Sequence, residues 1–237
     1  ELKNNNSQRY YLQRAILLPL ICCFLIYLEP DYGTTLTILC IFFIQIVFSD
    51  IKLRYPAFIL SISIFPLYLF ANASDYRRER IETFLTGKCQ DGVDLLGDCF
   101  QLNQSWIAIS SGGLTGLGPG TSRARWGMLP NAYTDFIVSI TGEEYGFIGI
   151  LVLTIIFLIL IVSFYGMALT TNDNFKKLLL AGIATWVGIQ TILNLGGAVG
   201  LLPITGIVLP FISYGGTAMV SIFIGLSLAH NENLDNE

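Results

Sequence analysis

The side chains best suited to chemistry lie between residues 75 and 144. Thr134-Asp135-Phe136-Ile137 sets a carboxylate at the edge of the short apolar stretch Phe136–Ile140. Asp135 there could serve as a general base, or it could cap a helix, a position that aspartate favours. The residues alone leave both roles open. Asp75-Tyr76-Arg77-Arg78-Glu79-Arg80 crowds three guanidinium groups together. Such forks suit the oxygens of a phosphate or pyrophosphate; the bland alternative is snorkelling beside a membrane, with local pairing to Glu79 or Glu82. The run Ser110-Ser111-Gly112-Gly113-Leu114-Thr115-Gly116-Leu117-Gly118-Pro119-Gly120 lacks the strand before it and the helix after it that a dinucleotide fingerprint requires. Its glycines are read as permitting tight turns and close backbone packing. Thr141-Gly142-Glu143-Glu144, ahead of an apolar stretch, has the pattern of a capping box.

These residues must be held by membrane helices. Of 237 residues, 53% are hydrophobic and 13% charged, against about 25% charged in soluble domains. That is too little charge for a water-soluble surface. The net charge of -4 gives no case for nucleic acid, and one histidine without a Cys/His cluster argues against zinc. Ala15–Leu28, Thr34–Phe48, Tyr55–Ala73, Phe147–Leu169, Leu178–Gly200 and Ser213–Ala229 are apolar enough to cross a hydrocarbon core of about 30 Å. The first two are short. Lipid satisfies no backbone hydrogen bonds, so the spans must be helical. The predicted fold is therefore an all-α, polytopic membrane protein with about six spans in one domain, residues 1–237.

Orientation follows from the short connections. Lys3, Arg9 and Arg14, then Lys52 and Arg54, then Lys176 and Lys177 mark alternate loops as cytoplasmic. The intervening turns Glu29–Gly33 and Leu201–Ile212 have neither Lys nor Arg. Both termini of this chain are thus predicted inside, and residues 74–146 form one large extracytoplasmic loop that holds the candidate site. Cys89 and Cys99 lie in that loop, in an oxidising compartment, and a disulfide between them is predicted. The polar, basic start is read as a loop between spans, which makes the chain the C-terminal part of a longer membrane domain. Pro- and Gly-rich turns at 29–34 and 201–216 break helices where backbone lines a cavity or is buried in protein, a feature shared with transporters.

Several of these motifs together resemble one family, the FtsW/RodA/SpoVE (SEDS) proteins. The resemblance rests on Pro30-Asp31 with Gly33-Thr34, Tyr76-Arg77 with Arg80, Gln104-Ser105, and Ser111-Gly112-Gly113. It continues through Leu129-Pro130 with Thr134-Asp135-Phe136-Ile137, Glu143-Glu144 with Gly146, Leu201-Leu202-Pro203 with Thr205-Gly206, and Leu209-Pro210-Phe211-Ile212-Ser213-Tyr214-Gly215-Gly216. It covers nearly the whole chain in the family's order, and Gly196-Gly197-Ala198 leans toward the FtsW, cell-division branch. The chain departs from the family at Gly127 and Asn131, where many members carry acids, so no role of those acids is carried over.

The resemblance implies a ten-span fold, with about four spans preceding this chain. It also implies a peptidoglycan glycosyltransferase of the bacterial cytoplasmic membrane that polymerises lipid II on the outer face. Asp135 becomes the catalytic base, with Arg77, Arg80, Arg125, Gln104 and Ser105 as the substrate-binding set. Pyrophosphate leaves readily, so a base and cations suffice for an inverting displacement, without the second carboxylate of glycosidases. No dedicated carboxylate cage for metal is evident, although Mg2+ or Mn2+ could assist. The implied partners are lipid II, a class B penicillin-binding protein transpeptidase and other division proteins. The rival readings are a lipid II flippase or transporter, for which Thr185, Gln190 and Asn194 are the polar residues that stand out in the late spans, and a non-enzymatic division scaffold.

Overall fold

A computed structural model describes residues 17, 19, 21–26, 29, 31–49, 84, 86–87, 89 and 99–231. Residues 15, 16, 18, 20, 27 and 28 of the predicted Ala15–Leu28 span, all of Tyr55–Ala73, and both Arg77 and Arg80 lie outside the described residues. Every regular element among the described residues is helical. They comprise α1 (Tyr32–Phe48), α2 (Phe100–Gly112), a 3-10 turn (Ala124–Trp126), α3 (Ile137–Thr170), α4 (Asn174–Val199) and α5 (Gly216–Asn231).

Local chemistry sets where these helices begin and end. Asp31 caps α1, accepting from the Thr34 amide at 3.0 Å and the Thr34 hydroxyl at 2.6 Å. Asp173 caps α4 through the Phe175 amide, and Gly200 closes that helix in the left-handed region at φ 79°. Side-chain caps of this kind satisfy amides that a helix end leaves orphaned.

Helix α4 is the hub. It packs against α1, α2, α3 and α5, and α2 also lies on α3. Its buried residues include Ala181, Gly182, Ala184, Gly188, Gly196, Gly197 and Ala198. Small residues at this density let backbones approach closely, which is how helices pack where lipid removes the hydrophobic drive between them. Hydroxyls tie the seams: Tyr165 and Thr185 join α3 to α4 at 2.8 Å. Ser105 on α2 donates to the Ala198 carbonyl of α4 at 2.6 Å and bonds the Ser139 hydroxyl of α3 at 2.6 Å.

Helices α3 and α4 are long and apolar enough to cross a membrane. The most apolar window of α3 is only 6% buried. A soluble protein's core helix with that composition would be covered, so this face belongs against lipid or other spans. The α3 helix starts at Ile137, ten residues before the predicted span, and Thr141 bonds back to the Ile137 carbonyl from inside the helix. The predicted capping box at Thr141 is therefore not one. The N-cap position of α3 falls on Phe136, which makes no side-chain cap bond.

Candidate active site

Asp135 sits in a short loop just ahead of α3, and its backbone is fixed on both sides. Asn131 adopts φ 54°, a left-handed conformation that asparagine tolerates better than most residues. Its carbonyl thereby collects the amides of Thr134, Asp135 and Phe136 at 3.1, 3.1 and 3.3 Å. The absence of an acid at position 131 thus has a local use: asparagine makes the turn that presents Asp135.

On the other side, three successive carbonyls accept from distant parts of the chain. Tyr133 receives the Tyr214 amide at 2.9 Å. Thr134 receives the Ser213 hydroxyl at 2.6 Å. Asp135 receives the Asn194 side-chain amide at 2.9 Å. The same Asn194 nitrogen donates to the Ile207 carbonyl at 2.7 Å, and Ser213 Oγ accepts the Leu209 amide at 2.8 Å. The loop of Asp135 and the irregular segment 201–215 are therefore laced together over the last turns of α4. Phe211, within that segment, also takes a positive φ of 62°, a costly conformation for a bulky residue that needs surrounding structure to hold it.

A small cleft opens where the two meet, lined by Asp135, Asn194, Gly197, Thr205, Gly206 and Ile207 among others. A β-carbon placed on Gly206 would lie 3.7 Å from Asp135 Oδ2, at ordinary contact distance, so the glycine and the carboxyl group are immediate neighbours.

The glutamate pair does a different job. Glu143 is 3% exposed and accepts from the Ser122 hydroxyl at 2.6 Å and the amides of Arg123 and Ala124 at 3.1 and 3.2 Å. Glu144 accepts from the Ser122 amide at 3.4 Å and pairs with Arg125 at 3.5 Å. Together they anchor the 3-10 turn that carries Arg125. The Arg125 guanidinium also lies 4.9 Å from the Trp126 ring centroid, a cation–π contact.

The glycine run is a structural insert. Gly146, at φ 68°, interrupts the α3 ladder. The freed groups pair with the run: Leu117 and Gly118 amides donate to the Glu143 and Glu144 carbonyls at 2.9 and 3.0 Å, and Phe147 and Ile148 amides donate to the Gly113 and Leu114 carbonyls at 2.9 and 3.1 Å. A β-carbon on Gly116 would fall 2.2 Å from the Glu144 oxygen, so no larger residue fits without movement.

The residues read from sequence as one site thus separate. Asp135 lies in the cleft, and Arg125 lies on the anchored turn beside Glu144. Gln104 is half-buried on α2. Ser105 is a correction: it is fully buried and its hydroxyl is spent between α2, α3 and α4, which removes it from substrate contact. Cys89 and Cys99 are disulfide-bonded, their Cα atoms 5.2 Å apart, which ties the start of α2 to the preceding loop. Asn194 and Ser213 were not in the predicted set, and only the isolation of Asn194 among apolar residues hinted at it.

Helices of this composition around a laced aspartate loop match a described class of membrane proteins. Residues 2–234 match the FtsW/RodA/SpoVE family, described as cell cycle protein, and the chain belongs to it. The probable peptidoglycan glycosyltransferase FtsW of Geobacter metallireducens is 36% identical over 203 residues, 86% of this chain and 53% of that relative. Its namesake in Bacillus subtilis is 33% identical over 223 residues, 91% of this chain and 55% of the relative. The chain spans little more than half the length of these curated relatives. Among solved structures, one of a peptidoglycan synthase complex that coordinates polymerization and crosslinking is similar at TM-score 0.68 and 27% identity, covering 91% of this chain and 59% of that one. The rod shape determining protein RodA of Thermus thermophilus is similar at TM-score 0.58 and 26% identity, covering 92% and 54%.

Proposed function

We propose that the full protein containing this chain is a peptidoglycan glycosyltransferase of the division branch. It would polymerise lipid II at the outer face of the bacterial cytoplasmic membrane, with Asp135 as general base. The observation that carries the reading is Asp135 itself. Its amide and carbonyl are both engaged, and its carboxyl group borders a small cleft beside Gly206. A base must be positioned before it is useful, and this loop is built for position. The reaction class is that for which the relatives are named.

In that reaction Asp135 takes the proton from an acceptor sugar hydroxyl as its oxygen bonds to the donor's anomeric carbon. The bond from that carbon to the pyrophosphate breaks, the electron pair leaves with the pyrophosphate, and the configuration inverts. Arg77 and Arg80 are proposed to take up the departing charge. Arg125, paired with Glu144, is proposed as a further cation for the headgroup. Among the described residues no three His, Cys, Asp or Glu side chains group to hold a metal. The six-span topology, the extracytoplasmic placement of residues 74–146 and a class B penicillin-binding protein partner belong to the same proposal. The likeness to a chain from a peptidoglycan synthase complex supports the partner.

The test is direct. Purified full-length protein, incubated with fluorescent lipid II and resolved on a gel, should yield glycan polymer. Absence of polymer, with lipid II instead moved across vesicles or left unchanged, would return the protein to the flippase or scaffold readings.

A further inference from the structure

We propose that Asn194 is the positioning residue for Asp135, aiming its carboxylate by fixing its peptide, with Ser213 holding the preceding residue. The inference rests on the reading of Asp135 as the base.

The geometry around Asn194 is specific. Its side-chain nitrogen reaches two carbonyl oxygens at once, Asp135 O at 2.9 Å and Ile207 O at 2.7 Å. These belong to different loops, 59 and 13 residues away in sequence. Two acceptors at one point demand a group with two N–H donors, which fixes the orientation of the carboxamide. Aspartate would bring lone pairs against both carbonyls, and leucine would bring nothing.

The cost of the arrangement points the same way. Asn194 is 3% exposed, and its Oδ1 is buried with no hydrogen-bond partner. A buried acceptor left unmade is expensive, while an apolar residue of similar shape can be close to neutral. If Asn194 served only to fill space in α4, leucine would serve better. The residue carries an unsatisfied oxygen for the sake of what its nitrogen holds, and its nitrogen holds the peptide of Asp135.

Ser213 repeats the device one residue earlier. Its hydroxyl accepts from the Leu209 amide and donates to the Thr134 carbonyl. With the Tyr214 amide on the Tyr133 carbonyl, the register of the loop is set at three consecutive residues. Each link allows the peptide of Asp135 little rotation, so the carboxylate enters the cleft from one direction. A general base misplaced by about 1 Å can cost on the order of 10²-fold in rate.

The experiment uses full-length protein in detergent or nanodiscs with fluorescent lipid II. Asn194→Leu, Asn194→Asp and Asp135→Asn are each measured for kcat, KM and thermal midpoint, and Asn194→Leu is also combined with Asp135→Asn. The expected result is a fall of about 10²-fold in kcat for both Asn194 variants, with KM within about threefold of wild type. The double variant should be no slower than Asp135→Asn alone, because a residue that acts only through Asp135 has nothing left to position.

Independent, multiplicative losses in the double variant would overturn the inference, as would a raised KM with kcat unchanged. Wild-type kcat in both Asn194 variants, with Asp135→Asn inactive, would overturn it while leaving the base reading intact. Should Asn194→Leu fail to fold, the near-isosteric Asn194→Asp decides, and failure of both to fold would make Asn194 a purely structural residue. An active Asp135→Asn would instead refute the base reading itself.

Discussion

Asp135 and Glu143 are carboxylates eight positions apart, and the roles proposed for them differ. Glu143 has its oxygens filled by a hydroxyl and two backbone amides, so it is an anchor for the Ser122–Ala124 turn. Asp135 borders a cleft. Asp135→Asn keeps size and turn-forming ability and removes the capacity to accept a proton. Glycan polymerisation should fall by about 10²–10⁴-fold, the usual cost of losing a general base, at an unchanged thermal midpoint. Glu143→Gln should do the reverse: it sets an NH2 group against existing donors, lowers stability by about 1–3 kcal/mol, and leaves turnover per folded molecule near wild type. Thermal unfolding followed by a polymerisation assay on the same samples separates the two. Asp135 was legible in the sequence because a family motif surrounds it. Its supports were not, because Asn194 meets it across 59 residues and Ser213 meets the neighbouring Thr134 across 79, and no local pattern records such meetings. Ser105 was misread for a related reason: a serine in a shared motif looks the same whether it faces substrate or a neighbouring helix.

At the scale of the element, the break in α3 organises the outer segment. Gly146 opens the helix, and residues 113–118 enter the gap and satisfy the backbone groups it exposes. The glycines of that run were correctly read as a packing device. Their partner was not visible, because Gly146 lies at the polar edge of the predicted Phe147–Leu169 span and gives no sign that a helix continues on both sides of it. The same blindness produced the capping box at Thr141, where a familiar pattern lies inside a helix that had already begun. Gly116 combines φ 82° with a β-carbon position 2.2 Å from the Glu144 oxygen. Gly116→Ala should therefore lose about 1–3 kcal/mol of stability from backbone strain alone, with the clash adding to it. Gly166→Ala is the matched control. Beyond its own stretch of helix, no described residue comes within 4 Å of its β-carbon position, and alanine is the better helix former, so its thermal midpoint should be unchanged or higher.

For the whole molecule, the two ends of α3 divide the chain into sides. The segment after Gly146 has 24 residues to Thr170, about 36 Å at 1.5 Å per residue, enough to cross the hydrocarbon core. The glycine run, the Glu144–Arg125 ion pair with the Glu143-anchored turn, and the Asp135 loop all attach near residues 135–148. The turn from Thr171 to Asp173 lies at the opposite end. If α3 spans, these two regions must face different compartments, whichever way the protein is inserted. The proposed direction rests on charge: Lys176 and Lys177 follow the far turn, and short basic loops tend to stay in the cytoplasm. In a background with the free cysteines Cys22, Cys23 and Cys40 replaced, Thr121→Cys and Asn172→Cys place probes on exposed positions at the two ends. A membrane-impermeant maleimide applied to intact cells stripped of their outer barrier should label Thr121→Cys, and should label Asn172→Cys only after the membrane is opened. Labelling of both from outside would mean that α3 does not span. The reversed pattern would keep the span and overturn the orientation, moving Asp135 to the cytoplasmic face, where it could not act on a donor presented outside.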